Sequence, residues 1–190
     1  EAVKAMPRNF RMDLDLPKYA RGKNDFKTAT SKMQLGHMAK HEDNRAWGRM
    51  NSDFGNRLSN ICPQHEDLNP KEWKQLEDLH HSVVKKGSVS IIWIIAGPIF
   101  NTDKPKRFVA NEVAVPNRFY KVIAWMDSED KLHAVGYIFD NKKEKVFLKD
   151  CKHSVKEIEN STGLIFFPYM NAEDEARVKN RVNAGLWTHE

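Results

Sequence analysis

The run Val89-Ser90-Ile91-Ile92-Trp93-Ile94-Ile95-Ala96 most restricts the fold of this chain. It is β-branched and apolar nearly throughout, and Gly97-Pro98 stops it at strand length, far short of a bilayer span. Such a run predicts a central strand covered on both faces. A helix is predicted just before it. Asn69 reads as the N-cap, Pro70 as the first helical residue and Glu72 as the carboxylate of a capping box. Trp73, Leu76, Leu79 and Val83 recur at helical spacing and form an apolar stripe. Lys85, Lys86 and Gly87 close the helix, with positive charge at the negative end of its dipole and a glycine just beyond.

Other elements are punctuated as clearly. Lys32–Met38 predicts a short strand, and Phe108–Val115 another, stopped by Pro116. Phe119–Met126 and Lys131–Phe139 predict a hairpin joined through residues 127–130, with Lys121 at its surface. Ser154-Val155-Lys156-Glu157 is a capping box opening a helix that ends at Gly163. Leu164–Phe167 reads as a strand, and Asn171 caps a charged C-terminal helix. No repeat, low-complexity tract or linker interrupts the 190 residues, so residues 1–190 read as a single domain, large enough to bury a core.

Composition adds little that is sharp. Apolar residues make up 40% and charged residues 30%, ordinary for a soluble globular protein. A net charge of +5 fits a polyanionic partner without proving one. Two cysteines, Cys62 and Cys151, are too few for a disulfide framework; they could pair, but Cys62 reads better as a buried thiol. No signal peptide or transmembrane segment is visible, and a cleaved leader would leave no trace.

Side-chain chemistry points more narrowly. Glu77 follows Asn69 by eight residues, a little over two helical turns, so both can look toward one side. An amide oxygen with a carboxylate nearby is a hard-oxygen site of the kind that suits Mg²⁺, which keeps several waters and takes few protein ligands. His37, after Gly36 and upstream of this helix, could supply a general base. Zinc is not expected: the cysteines lack Cys-x-x-Cys spacing, and the adjacent His80 and His81 point to different helical faces. No serine nucleophile motif is present.

Four blocks carry a family resemblance. They are Gln34-Leu35-Gly36-His37, Leu58-Ser59-Asn60-Ile61-Cys62-Pro63-Gln64, Leu68-Asn69 through Trp73, and Leu76-Glu77. In order and spacing the chain resembles the DNA/RNA non-specific endonucleases, a branch of the ββα-metal nucleases that includes endonuclease G. Their pattern is Asp-Arg-Gly-His, then Leu-Ser-Asn-(Ile/Val)-x-Pro-Gln, then Leu-Asn-x-x-x-Trp, then Leu-Glu. The last three blocks are intact here, whereas Gln34 and Leu35 replace the Asp and Arg of the first. Two later phrases, the Gly-Pro-Ile-Phe at 97–100 and the run at 115–122, are also family-like.

The resemblance implies an α+β fold with a central, mostly antiparallel sheet flanked by helices. It implies metal-assisted phosphodiester hydrolysis of DNA and RNA that leaves 5′-phosphate ends. His37 would be the general base, and Asn69 the direct ligand of Mg²⁺, with Mn²⁺ as an alternative. Glu77 would hold the metal's waters, and Arg8 would face the scissile phosphate. Asn60 would help orient the base or a metal-bound water, or merely tie down backbone. The polar loop of Lys40–Phe54 would lie over the nucleic acid, offering Arg45 for contact and Trp47 for stacking on a base, or for anchoring the loop. Relatives also carry an arginine one turn beyond the helix glutamate, near His80 and His81 here. The lost arginines leave a second reading, a weakened or inactive pseudo-nuclease that binds nucleic acid without cutting it. Arg8 lies so early that the family's opening strands are built otherwise, missing or supplied by another segment. Relatives are secreted, periplasmic or mitochondrial and often dimeric, so a homodimer is an open expectation; no membrane partner is implied.

Overall fold

The computed structural model describes residues 11, 13–16, 33–40, 54–89, 91–101, 113–142, 146–183, 185 and 187. Strand β1 (Met33–His37) pairs antiparallel with β2 (Ile61–His65), placing His37 opposite Ile61. A π-helical turn, Asn69–Trp73, runs directly into α1 (Lys74–Lys85). These elements form a β-β-α unit. Strands β3 (Ile92–Ile99), β4 (Arg118–Met126), β5 (Leu132–Asp140) and β6 (Lys152–His153) make a four-stranded antiparallel sheet in that order. Helices α2 (Val155–Thr162) and α3 (Ala172–Lys179) follow.

Alternation along β4 and β5 divides the core in two. Phe119, Ile123, Trp125, Val135, Tyr137 and Phe139 pack with Trp73, Leu76 and Val83 of the β-β-α unit. Tyr120, Val122, Ala124, Ala134 and Ile138 pack with Val155 and Ile158 of α2 and Val178 of α3. The sheet is therefore antiparallel and covered by helices on both faces, the α+β arrangement expected from the sequence.

The strands covered on both faces are β4 and β5, not the apolar run. Among the described residues β3 is an edge strand: Ile91, Trp93 and Ile95 are 58%, 46% and 38% exposed. Of the run, Val89 is buried in the core and Ile92, Ile94 and Ala96 pack against it. Apolarity tells how much a strand can bury; which neighbours it acquires is settled by pairing with distant segments.

The helix stop is as expected and its start is not. Gly87 has φ +72°, its N–H reaches the Val84 carbonyl at 3.0 Å, and the Ser88 N–H reaches Val83 at 3.3 Å, a Schellman ending. At the other end Leu68, not Asn69, is the cap, and no side chain caps it. The Trp73 N–H bonds the Leu68 carbonyl at 3.3 Å, five residues back, which widens the first turn to a π-turn. The hairpin forms as expected, with Asp130 in its turn at φ 57°. The Ser154–Glu157 capping box is complete, Gly163 ends α2 in the left-handed region, and Asn171 accepts from the Asp174 N–H at 2.8 Å. Leu164–Phe167 is not a strand. The Phe166 N–H is taken by the Glu159 carboxylate at 2.8 Å rather than by a ladder, and Leu164 and Ile165 are exposed. Both cysteines are free; burial pushes each thiol up to about 12. The strand expected at Phe108–Val115 lies outside the described residues except for its last three positions.

Candidate active site

One cleft, of about 450 Å³, is lined by His37 from the end of β1, Asn69 from the π-turn, Glu77 and His81 from α1, and Leu35 and Lys40 at its rim. Gly36 is what lets β1 deliver its histidine. A Cβ there would lie 2.1 Å from Oε1 of Gln64, which is fully buried on β2. Immediately after His37 the backbone is clamped by Asn60. Its Oδ1 accepts from the Ala39 N–H at 2.8 Å, while its Nδ2 donates to the carbonyls of Ala39 at 2.9 Å and Gly55 at 3.0 Å. The Asn60 carbonyl accepts from the Met38 N–H at 2.9 Å. These hydrogen bonds tie Asn60 to the backbone that follows the histidine. Asn56 Oδ1 lies 3.4 Å from His37 Nε2, close enough to bias which ring nitrogen carries the proton.

Behind this loop Arg57 donates to Asp13 at 2.9 Å and to Asp15 at 2.5 Å, and the Ser59 hydroxyl donates to Asp13 at 2.5 Å. The serine above all, with Arg57, holds the Asp13 carboxyl below its usual range. With the parallel bridge of Arg11 to Arg57, this network pins Arg11 and residues 13–16 beside the loop that follows His37. Arg8, just upstream, lies outside the described residues, as do Arg45 and Trp47.

Asn69 and Glu77 do look toward one side. Asn69 Nδ2 donates to Gln34 Oε1 at 3.0 Å, and no described residue donates to its Oδ1. Gln34, which replaces the aspartate of the family pattern, thus keeps an oxygen acceptor against the asparagine. Glu77 is buried, with Oε1 accepting from Lys121 Nζ at 3.0 Å. Lys121 was expected at the surface and is 1% exposed. It sits on the α1 face of β4, where its ammonium finds the carboxylate and lies 3.9 Å over the Trp73 ring. A lysine is buried when such partners meet it.

On the rim, Asp78 is paired with Lys74 and, at 3.5 Å, with Lys40; Lys74 above all holds its carboxyl low. His80 is buried and His81 exposed, so the two do occupy different faces, and His81 reaches the cleft one turn beyond Glu77. Leu35, which replaces the arginine of the family pattern, contributes apolar surface to the cleft.

The donors suit the cation implied by the sequence. An amide oxygen and a carboxylate are hard ligands, and the described residues contain no group of three or more His, Cys, Asp or Glu that would cage a metal fully. Few protein ligands with water completing the shell is the mode of Mg²⁺. Two residues escaped sequence reading. Asn56 carries no periodic or capping signal. Lys121 did carry one, a cation within an apolar strand pattern, but its carboxylate partner lies 44 residues upstream.

The model of the DNA/RNA non-specific endonuclease family matches residues 1–173. The chain is 31% identical to mitochondrial nuclease EXOG of Danio rerio over 86% of its length and 50% of that protein. It is 30% identical to a nuclease of Serratia marcescens over 66% of its length and 48% of that protein. It is 29% identical to mitochondrial endonuclease G of Homo sapiens over 84% of its length and 56% of that protein. The chain thus spans about half the length of these curated relatives. A crystal structure of the EndoG/EndoGI complex matches with a TM-score of 0.76 at 27% identity, over 94% of this chain and 76% of that one. Among the described residues no helix is long and apolar enough to cross a membrane.

Proposed function

Because the chain belongs to the DNA/RNA non-specific endonuclease family, we propose that it hydrolyses phosphodiester bonds in DNA and RNA with Mg²⁺, as a single domain over residues 1–190. The observation that carries this reading is the meeting of His37, Asn69 and Glu77 at one cleft on a β-β-α unit.

Each residue has a role that its chemistry suits. His37 accepts a proton from the water that attacks phosphorus, and the bond to the 3′ oxygen breaks with its electron pair on that oxygen, which takes a proton from solvent water, leaving a 5′-phosphate and a 3′-hydroxyl. Asn56 biases the tautomer of that imidazole, and Asn60 holds the backbone on which it stands. Asn69 directly and Glu77 through water would hold Mg²⁺, or Mn²⁺ in its place, and the bound cation would supply positive charge against the phosphate and the leaving oxygen. Arg8 grips two phosphate oxygens with its planar fork as negative charge builds. Arg45 contacts the backbone and Trp47 stacks on a base; neither contact reads sequence, which suits a nuclease of broad specificity.

Leu35 at the cleft favours a second reading, a protein that binds nucleic acid and cuts poorly or not at all, since an arginine there would add a charge and five donors. Digestion of plasmid DNA and of RNA, with Mg²⁺ and with EDTA, separates the two. The expected outcome is Mg²⁺-dependent cutting of both substrates. His37→Ala should lower the rate by about 10²- to 10⁴-fold, the usual contribution of a general base, and Asn69→Ala should abolish the response to Mg²⁺. Binding in a gel shift with no cutting by any form supports the second reading.

A further inference from the structure

We infer that Lys121 is a positioning residue of the cleft: by holding Oε1 of Glu77 it fixes the carboxylate so that Oε2 serves the waters of a divalent cation. This rests on the nuclease reading above.

The geometry is that of a built support. Lys121 stands near the middle of β4, opposite Tyr137 of β5, so its backbone is fixed by ladders on both sides. Its ammonium is 3.0 Å from Glu77 Oε1 and 3.9 Å over the Trp73 ring. Trp73 is itself wedged edge-on against Phe119 and Phe139, at ring separations of 5.7 and 5.8 Å. The long side chain therefore has little freedom left, and the carboxylate has a rigid neighbour on one side. No described residue bonds Glu77 Oε2, and Glu77 lines the cleft.

A purely structural role explains this pair poorly. Exchanging a buried ion pair for well-packed apolar residues is often neutral or stabilising. The pair is better explained by its position, where the carboxylate lines the cleft and is held in one orientation. The contrast is with Lys74 and Asp78 on the rim, an ion pair whose side chains are both more than half exposed. A cation placed behind the carboxylate fixes it without competing for the cleft, whereas a cation inside the cleft would repel the metal.

The test measures Mn²⁺ affinity by electron paramagnetic resonance and the Mg²⁺ dependence of plasmid cutting, in the wild type, Lys121→Met, Lys121→Arg, Glu77→Gln and the double variant Lys121→Met/Glu77→Gln. Thermal melting is followed in each. Lys121→Met is expected to weaken Mn²⁺ binding by roughly 10- to 100-fold, the usual loss when a group behind a metal site is removed. Lys121→Arg should recover part of that loss, and the double variant should bind no worse than Glu77→Gln. Unchanged Mn²⁺ affinity in folded Lys121→Met, or additive losses in the double variant, would overturn the inference. If Lys121→Met fails to fold, the double variant, which leaves no lone buried charge, decides by its comparison with Glu77→Gln. Failure of the nuclease reading is seen separately, as a wild type that binds Mn²⁺ and does not cut; the affinities still report on Lys121. A wild type that neither cuts nor binds Mn²⁺ overturns both.

Discussion

At the scale of single residues, Gly36 is the tightest constraint on the site. A methyl group there meets the buried Gln64 side chain, with Cβ-to-carbon separations of 2.7 and 2.9 Å as well as the contact to Oε1. Gln64 is enclosed and cannot swing away. Gly36→Ala should therefore cost about 1–3 kcal/mol, the usual range for overpacking, and lower cleavage by displacing His37. Urea denaturation reads the first effect and plasmid cutting the second. Shortening the partner, as in Gly36→Ala/Gln64→Ala, should return much of the stability. Gln34 and Leu35, two residues that depart from the family pattern, behave differently from each other. Gln34 still offers an oxygen to Asn69, whereas Leu35 restores nothing of an arginine.

At the scale of elements, the ends of helices are where local chemistry is strongest. Ser154 and Glu157 satisfy each other's backbone N–H groups at 3.2 and 2.7 Å. Ser154→Ala should cost about 1 kcal/mol, and Ser154→Asp should largely spare the helix; both are read from thermal melts. Such features were legible in the sequence because every partner lies within a few residues. The capping box, Gly163, Asn171, Gly87, the apolar stripe of α1 and the β4–β5 hairpin all belong to this class. So did the blocks that bring His37, Asn69 and Glu77 to one cleft, since the spacing of Asn69 and Glu77 on one helix is itself local. What was not legible depends on partners far along the chain. Asn69 lies inside the opening π-turn instead of capping it, and its amide meets Gln34, 35 residues upstream. Leu164–Phe167 has strand-like residues, yet its backbone turns to Glu159 and Phe167 adopts φ 51°. The apolar run became an edge, and a lysine was placed in the core, because sheet order is decided across whole segments.

At the scale of the whole molecule, the larger core joins the β-β-α unit to the sheet, and the two cysteines report on it. Cys151 belongs to that core and Cys62 packs against it. Both thiols are raised from 9.0 to about 12 by desolvation. A folded-state value above the unfolded one favours the folded protein fully below pH 9 and is lost as pH climbs toward 12. The protein should therefore lose stability on the alkaline side, and Cys62→Ala/Cys151→Ala should flatten that slope in denaturant titrations followed against pH. At pH 8 a disulfide reagent should leave both thiols untouched until urea opens the core, when both react together. The seam between unit and sheet also limits what can be made from this protein. Residues 33–87 look like a portable cutting module, since they hold the histidine, the asparagine and the glutamate. Grafted onto another scaffold, that module would leave Lys121 behind, along with the aromatic wall that Phe119 and Phe139 build around Trp73. An engineer who wants the chemistry must take the sheet as well, or redesign the floor from the host.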